Sequence, residues 1–306
     1  MTRPGGAPPR RLLAGDRELE LGARPWLMGI VNASPDSFSD GGRHATLERQ
    51  VELGGELLAA GADILDVGGQ SARADRPPVS EREELERVLP LVERLAGELR
   101  ALVSVDTHRP PVARAAIAAG ARIVNDVSGV RDPNLAGVCA ETGAALVVMH
   151  TLAEPGRRLQ DSQLYGADIA DDVIAFLCER MGVARAAGVA AEQLIVDPGP
   201  DFAKTPAQTI ALLAQAQRLH DLDRPVLMAI SRKDFIGALT GRAPRGRLAG
   251  TLAALAHGVD AGAHIFRLHD VAEAADFLRV RAALAGELQV AGDLALAEEL
   301  RYEPSG

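Results

Sequence analysis

Residues 102–149 read LVSVDTHRPPVARAAIAAGARIVNDVSGVRDPNLAGVCAETGAALVVM. Two short apolar runs, Leu102–Asp106 and Arg122–Asn125, enclose a helix-spaced stretch at Pro111–Ala119, and a third run, Ala144–Met149, follows. Each run is short and β-branched or Leu-rich, as a strand buried on both faces should be. Gly120 and Gly143 stand where a chain leaves a helix and turns into a strand. The same grammar extends in both directions, through the runs Trp26–Val31 and Asp63–Val67 before this stretch and Gln193–Asp197, Pro225–Ile230 and His264–Leu268 after it. Helical patterns at Thr46–Ala60, Ser80–Arg100, Ile169–Ala187, Thr205–Leu219 and Leu248–Ala261 lie between them. Gly61, Gly188 and Gly262 are further helix exits, and Ser80 sits three residues before Glu83 at capping-box spacing. Eight strand-then-helix units predict an α/β fold, a (β/α)8 TIM barrel. A doubly wound open sheet is the alternative, because periodicity does not reveal closure. Arg11–Leu21, around Gly15-Asp16, reads as a short N-terminal hairpin under the barrel, and Gly292–Arg301 as an extra C-terminal helix. The expected organisation is a flexible N-terminus at 1–10, a barrel at 11–290, and a C-terminal helix and tail at 291–306.

The bulk numbers exclude several classes. The chain has 306 residues, with 33 basic against 42 acidic side chains and a formal net charge of −9. It is 47% hydrophobic and 25% charged, an ordinary globular balance. Without a basic block it lacks the positive face that nucleic acid requires, and 3% aromatics is too few for a base-stacking platform. No apolar run approaches the length of a bilayer and no secretory leader is legible, so no membrane partner and a cytoplasmic location are expected. Cys139 and Cys178 read as small buried hydrophobes, without disulfide or zinc spacing.

In a barrel of this kind the chemistry sits at the C-terminal ends of the strands, and all eight ends carry polar, titratable or Gly-rich residues. Asp106, Asn125, Asp197 and Lys233 form a set of two acceptors, an amide and a donor, suited to a flat heterocycle whose edge shows both donors and acceptors. Asn32, Arg267 and His269 come from the first and eighth ends, which a closed barrel places side by side. Arg and His can hold phosphate oxygens and Asn32 can offer an oxygen to Mg2+. For each residue a purely structural use competes: a backbone bond or an Arg partner for each Asp, a salt bridge to Asp270 for Arg267, a satisfied core position for His269. Only two lysines, Lys204 and Lys233, occur in the chain. Lys233 at a strand end reads as functional, whereas Lys204, at a helix start, has two readings, orienting its loop or acting directly.

Together, and in this order, several motifs resemble dihydropteroate synthase, the pterin-binding (β/α)8 enzyme family of folate synthesis. They are Met28-Gly29-Ile30-Val31-Asn32 with Pro35 to Gly42, Ser104-Val105-Asp106-Thr107, Asn125-Asp126-Val127-Ser128-Gly129, Ser231-Arg232-Lys233 with Phe235-Ile236-Gly237, and His269-Asp270-Val271. The resemblance spans about Trp26 to Leu284. It implies a transferase that joins 6-hydroxymethyl-7,8-dihydropterin diphosphate to para-aminobenzoate and releases diphosphate. It places the pterin on Asp106, Asn125, Asp197 and Lys233, and the diphosphate on Asn32, Arg267 and His269 with Mg2+ at Asn32. Met149 and Arg73 are further substrate contacts. Phe38 and Phe202 pack on the aminobenzoate ring, Ser231 meets its carboxylate, and Asp36 lies near the positive charge that develops as diphosphate leaves. A homodimer is implied too. The chain departs from the family pattern at Gln70, Ala72 and Ala74 in the second loop, at Asp201 where Gly is usual, and at Asp234 where Ser is common. These departures keep open a paralogue that binds pterin with altered or absent activity.

Overall fold

The computed structural model describes residues 7–33, 47–69 and 79–301. It opens with a hairpin, β1 (Arg10–Ala14) and β2 (Arg17–Leu21), paired antiparallel around Gly15. Eight parallel strands follow: β3 (Trp26–Asn32), β4 (Ile64–Gly68), β5 (Val103–Asp106), β6 (Ile123–Asp126), β7 (Ala145–Met149), β8 (Leu194–Asp197), β9 (Leu227–Ala229) and β10 (Ile265–Leu268). They run in the order β8-β7-β6-β5-β4-β3-β10-β9. The two ends of that order meet through a parallel Val196–Val226 bridge and a 2.9 Å bond from the Val196 N–H to the Pro225 carbonyl. The sheet therefore curls on itself, and the open doubly wound alternative falls.

The helices are α1 (Leu47–Ala59), α2 (Glu81–Gly97), α3 (Pro110–Ala118), α4 (Pro133–Thr142), α5 (Ile169–Ala186), α6 (Pro206–Leu213), α7 (Asp234–Thr240), α8 (Leu248–Asp260) and α9 (Val271–Leu284). Gly61, Gly120, Gly143, Gly188 and Gly262 all take positive φ at helix exits, as their positions predict. The Ser80 hydroxyl accepts the Glu83 N–H and caps α2. The single helix expected over Thr205–Leu219 is broken: α6 stops at Leu213 and a 3-10 turn, Ala216–Leu222, completes it.

Strand side chains alternate between two cores. Outward residues such as Val67, Val105, Val124 and Phe266 meet helix residues such as Val88 and Leu91. Inward residues near the strand starts, among them Met28, Ile64, Leu102, Ile123, Ile195 and Ile265, pack with Leu12, Ala14 and Leu21 of the hairpin. The hairpin thus plugs the bottom of the barrel with apolar side chains. A 2.8 Å bond from the Gly15 N–H to the Gly143 carbonyl and an Arg122–Asp16 ion pair fix it there.

The helix expected over Gly292–Arg301 is a single 3-10 turn at Glu298–Leu300, the rest being irregular. Leu294, Leu296 and Leu300 are all exposed, so no apolar face is buried to stabilise a helix there. Cys139 is buried as expected, but Cys178 is exposed. Among the described residues no helix is long and apolar enough to cross a membrane.

Candidate active site at the barrel mouth

The inward parity that fills the barrel bottom with apolar side chains continues upward and turns polar. Ile64 leads to Asp66, Leu102 to Ser104 and Asp106, Ile123 to Asn125, Ile195 to Asp197, and Ile265 to Arg267. Two residues along a strand is one step on the same face, so these polar groups converge above the plug.

They are wired together. The Arg267 Nε donates to Asp66 Oδ2 at 2.6 Å and its Nη2 to Asp106 Oδ2 at 2.9 Å. The Asn125 amide donates to the same Asp66 oxygen at 3.1 Å. Asp66 is absent from the sequence-based site, yet it holds the centre of this array. It is fully buried, and its Oδ1 finds no hydrogen-bond partner among the described residues. Its signal was a carboxylate two residues after Ile64 inside an apolar run, on the same inward face. Arg267 does not pair with Asp270, which is engaged instead by Arg232.

The Asp197 Oδ1 accepts the Gly199 N–H at 2.7 Å. Burial raises its pKa to about 6, and that bond and the charges of Lys233, Lys204 and Arg267 offset part of the rise. Burial also raises Asp106, against the pull of Arg267 and with the push of Asp66. Both carboxyls are therefore costly to ionise until a partner with N–H groups arrives. The Lys233 ammonium lies 4.4 Å from the centre of the Phe202 ring, and burial lowers its pKa.

On the neighbouring side, β3 and β10 pair directly, Arg267 opposite Met28. Asn32 at the end of β3 accepts the Gln50 amide on its backbone carbonyl. Ser231 is buried and its hydroxyl is used by His269: it accepts the His269 N–H at 3.1 Å and lies 2.9 Å from Nδ1. One hydroxyl proton satisfies both contacts when it is donated to Nδ1, which leaves the N–H on Nε2. Burial, followed by the charges of Arg232 and Arg267, lowers the His269 pKa to about 3, so the ring is neutral. Met149, at the end of β7, is buried in the barrel. Asp36, Phe38 and Arg73 lie outside the described residues, as do the departures at Gln70, Ala72 and Ala74.

Lys204 has the geometry of a loop strut. It is fully buried and donates to the carbonyls of Gly199 at 2.9 Å and Phe202 at 3.0 Å, with His150 Nδ1 at 2.8 Å. Burial lowers Lys204 to about 7; burial and the Lys204 charge lower His150 to about 2.

A model of the pterin-binding enzymes matches residues 28–269. The chain belongs to the pterin-binding enzyme family. Within that family it is 38% identical over 293 residues to the dihydropteroate synthase of Escherichia coli strain K12, covering 96% of this chain and all of the relative. A structure of Xanthomonas albilineans dihydropteroate synthase with 4-aminobenzoic acid superposes with a TM-score of 0.82 at 42% identity, covering 91% of this chain and 99% of that one. The same enzyme in complex with 7,8-dihydropteroate superposes with a TM-score of 0.79 at 42% identity, covering 90% and 98%. The eight-stranded barrel and the family membership thus agree with the fold and the family expected from the motifs.

Proposed function

We propose that this protein is a dihydropteroate synthase, a transferase that joins 6-hydroxymethyl-7,8-dihydropterin diphosphate to para-aminobenzoate. The arylamine nitrogen forms a bond to the pterin methylene carbon, the bond from that carbon to the diphosphate oxygen breaks, and the amine gives up a proton. The supporting observation is the inward polar layer, in which Asp106, Asn125 and Asp197 face the barrel axis around Arg267 in a pterin-family chain. Asp197 and Asp106 accept the amino and ring N–H groups of the pterin, Asn125 bonds in both senses, and Lys233 donates to its carbonyl or ring nitrogen. Such a paired edge makes up for the cost of ionising two buried carboxyls.

Arg267 donors left over from Asp66 and Asp106, together with the Nε2–H of His269, stabilise the departing diphosphate. Mg2+ adds charge neutralisation at the diphosphate when bound. Among the described residues no cluster of three or more His, Cys, Asp or Glu could hold a metal; Asn32 would offer its side-chain oxygen to the ion. That fits an ion that keeps several waters and arrives on phosphate oxygens. Phe202 would pack on the aminobenzoate ring; the roles implied for Phe38, Asp36 and Arg73, which lie outside the described residues, belong to the same proposal. Ser231, engaged by His269, reaches the aminobenzoate carboxylate only by exchanging that partner. A cytoplasmic homodimer completes the proposal.

Incubating the full chain with the pterin diphosphate, para-aminobenzoate and Mg2+ tests it. Diphosphate and dihydropteroate should appear together and stop on chelation. Pterin binding without product would instead identify a non-catalytic paralogue. Sedimentation reads the oligomeric state.

A further inference from the structure

Phe202 is flanked by two residues in the left-handed region, Asp201 with φ +66° and Ala203 with φ +53°. Neither is Gly, and such a backbone persists only where its surroundings hold it. After Phe202, the Tyr165 hydroxyl donates to the Ala203 carbonyl at 2.9 Å and Lys204 holds the Phe202 carbonyl from below. Before it, Asp201 makes three bonds. Its N–H donates to the Thr209 hydroxyl at 3.1 Å, and that hydroxyl returns a bond to Oδ1 at 3.1 Å. Its Oδ2 accepts the Asp234 N–H at 2.5 Å.

The last bond crosses between two loops. Asp234 is the first residue of α7, directly after Lys233. The Lys233 side is pinned independently, because Arg247 donates to the carbonyls of Arg232 at 2.8 Å and Lys233 at 3.1 Å. Each loop is thus anchored to its own part of the barrel, and the Asp201 carboxylate joins them where the Phe202 ring faces the Lys233 ammonium.

We propose that Asp201 is a positioning residue that staples the Phe202 loop to the start of α7, and so sets the aromatic face offered to the aminobenzoate ring. This rests on the synthase reading for the identity of the ring, not for the staple. The carboxylate is engaged by the Asp234 N–H and the Thr209 hydroxyl.

Three variants test the proposal. Asp201→Gly removes the staple and relieves the backbone, Asp201→Ala removes the staple and keeps the strain, and Asp201→Asn keeps an oxygen for the Asp234 N–H. A hydrogen bond to a charged acceptor is worth about a tenfold change. Gly and Ala should therefore raise the KM for para-aminobenzoate about tenfold, with the pterin diphosphate KM and kcat within about threefold, and Asn should restore most of the loss. Hydrogen exchange of residues 199–204 and 234–237 should speed up together in the Gly and Ala variants and not in Asn. Unchanged KM and exchange in the Gly variant would overturn the staple. So would equal changes in both KM values and kcat without rescue by Asn. Failure of the wild-type chain to turn over overturns the synthase reading alone, and the exchange measurement then decides the staple by the same criterion.

Discussion

Replacing Asp197 with Asn should make the protein more stable and at the same time abolish its pterin site. Asp197 is 2% exposed, and burial raises its pKa from 3.8 to about 6. A carboxyl whose folded pKa exceeds its unfolded value binds its proton more tightly in the native state. Its contribution is fully favourable below pH ~4 and is lost as the pH rises through ~6. Above that the native state carries a cost of about 3 kcal/mol, at about 1.4 kcal/mol per pKa unit. The Asn variant never ionises and keeps an oxygen for the Gly199 N–H. Its new amide N–H groups face Lys233 and Arg267, which takes back part of the gain, leaving roughly 1–3 kcal/mol. Urea unfolding in steps from pH 4 to pH 8 should show the two proteins converging at the acid end and the variant ahead at pH 7–8. Fluorescence titration with a pterin should show affinity reduced roughly 10- to 150-fold, the loss of one buried charged acceptor. A stability gap that is absent or independent of pH would refute the assignment of Asp197 as a desolvated carboxylate waiting for a ligand. Retained pterin affinity would remove it from the site.

Asp66→Ala leaves Arg267 with Asp106 as its one carboxylate and should lower stability by roughly 3–5 kcal/mol in urea unfolding; a loss below about 1 kcal/mol would mean that Asp106 holds the guanidinium alone. Gly199 has φ +64°, and a Cβ there would fall 2.1 Å from the His150 carbonyl oxygen, so Gly199→Ala should cost on the order of 3 kcal/mol and raise the KM for both substrates. Leu12→Ala empties a fully buried position in the hairpin plug and should lower the unfolding free energy by roughly 2–5 kcal/mol, while active-site titration of the folded fraction stays unchanged because the plug lies at the opposite end from Asp106 and Arg267.

Strand and helix grammar is local, so it was legible in the chain: all eight apolar runs became strands, and five glycines left helices at positive φ. The strand ends named Asp106, Asn125, Asp197, Lys233, Arg267 and His269 because a polar residue after an apolar run stands out. Asp66 lies inside its run rather than after it; its carboxylate among apolar neighbours was a local mark, but local sequence does not tell the face that points into the barrel from the one that meets a helix. That distinction follows from ring closure, which put Asp66 between Asn125 and Arg267. Closure also redirected Arg267 from its sequence neighbour Asp270 to partners 201 and 161 residues away. At the C-terminus the limit ran the other way: Leu296 and Leu300 stand four residues apart, but without a surface to cover them the stretch yields one turn. The amino-acid sequence by itself determined the elements, their order and most of the polar set. The tertiary structure decided which of those groups touch, which are desolvated, and hence which carboxylates carry the energetic cost that substrate binding would offset.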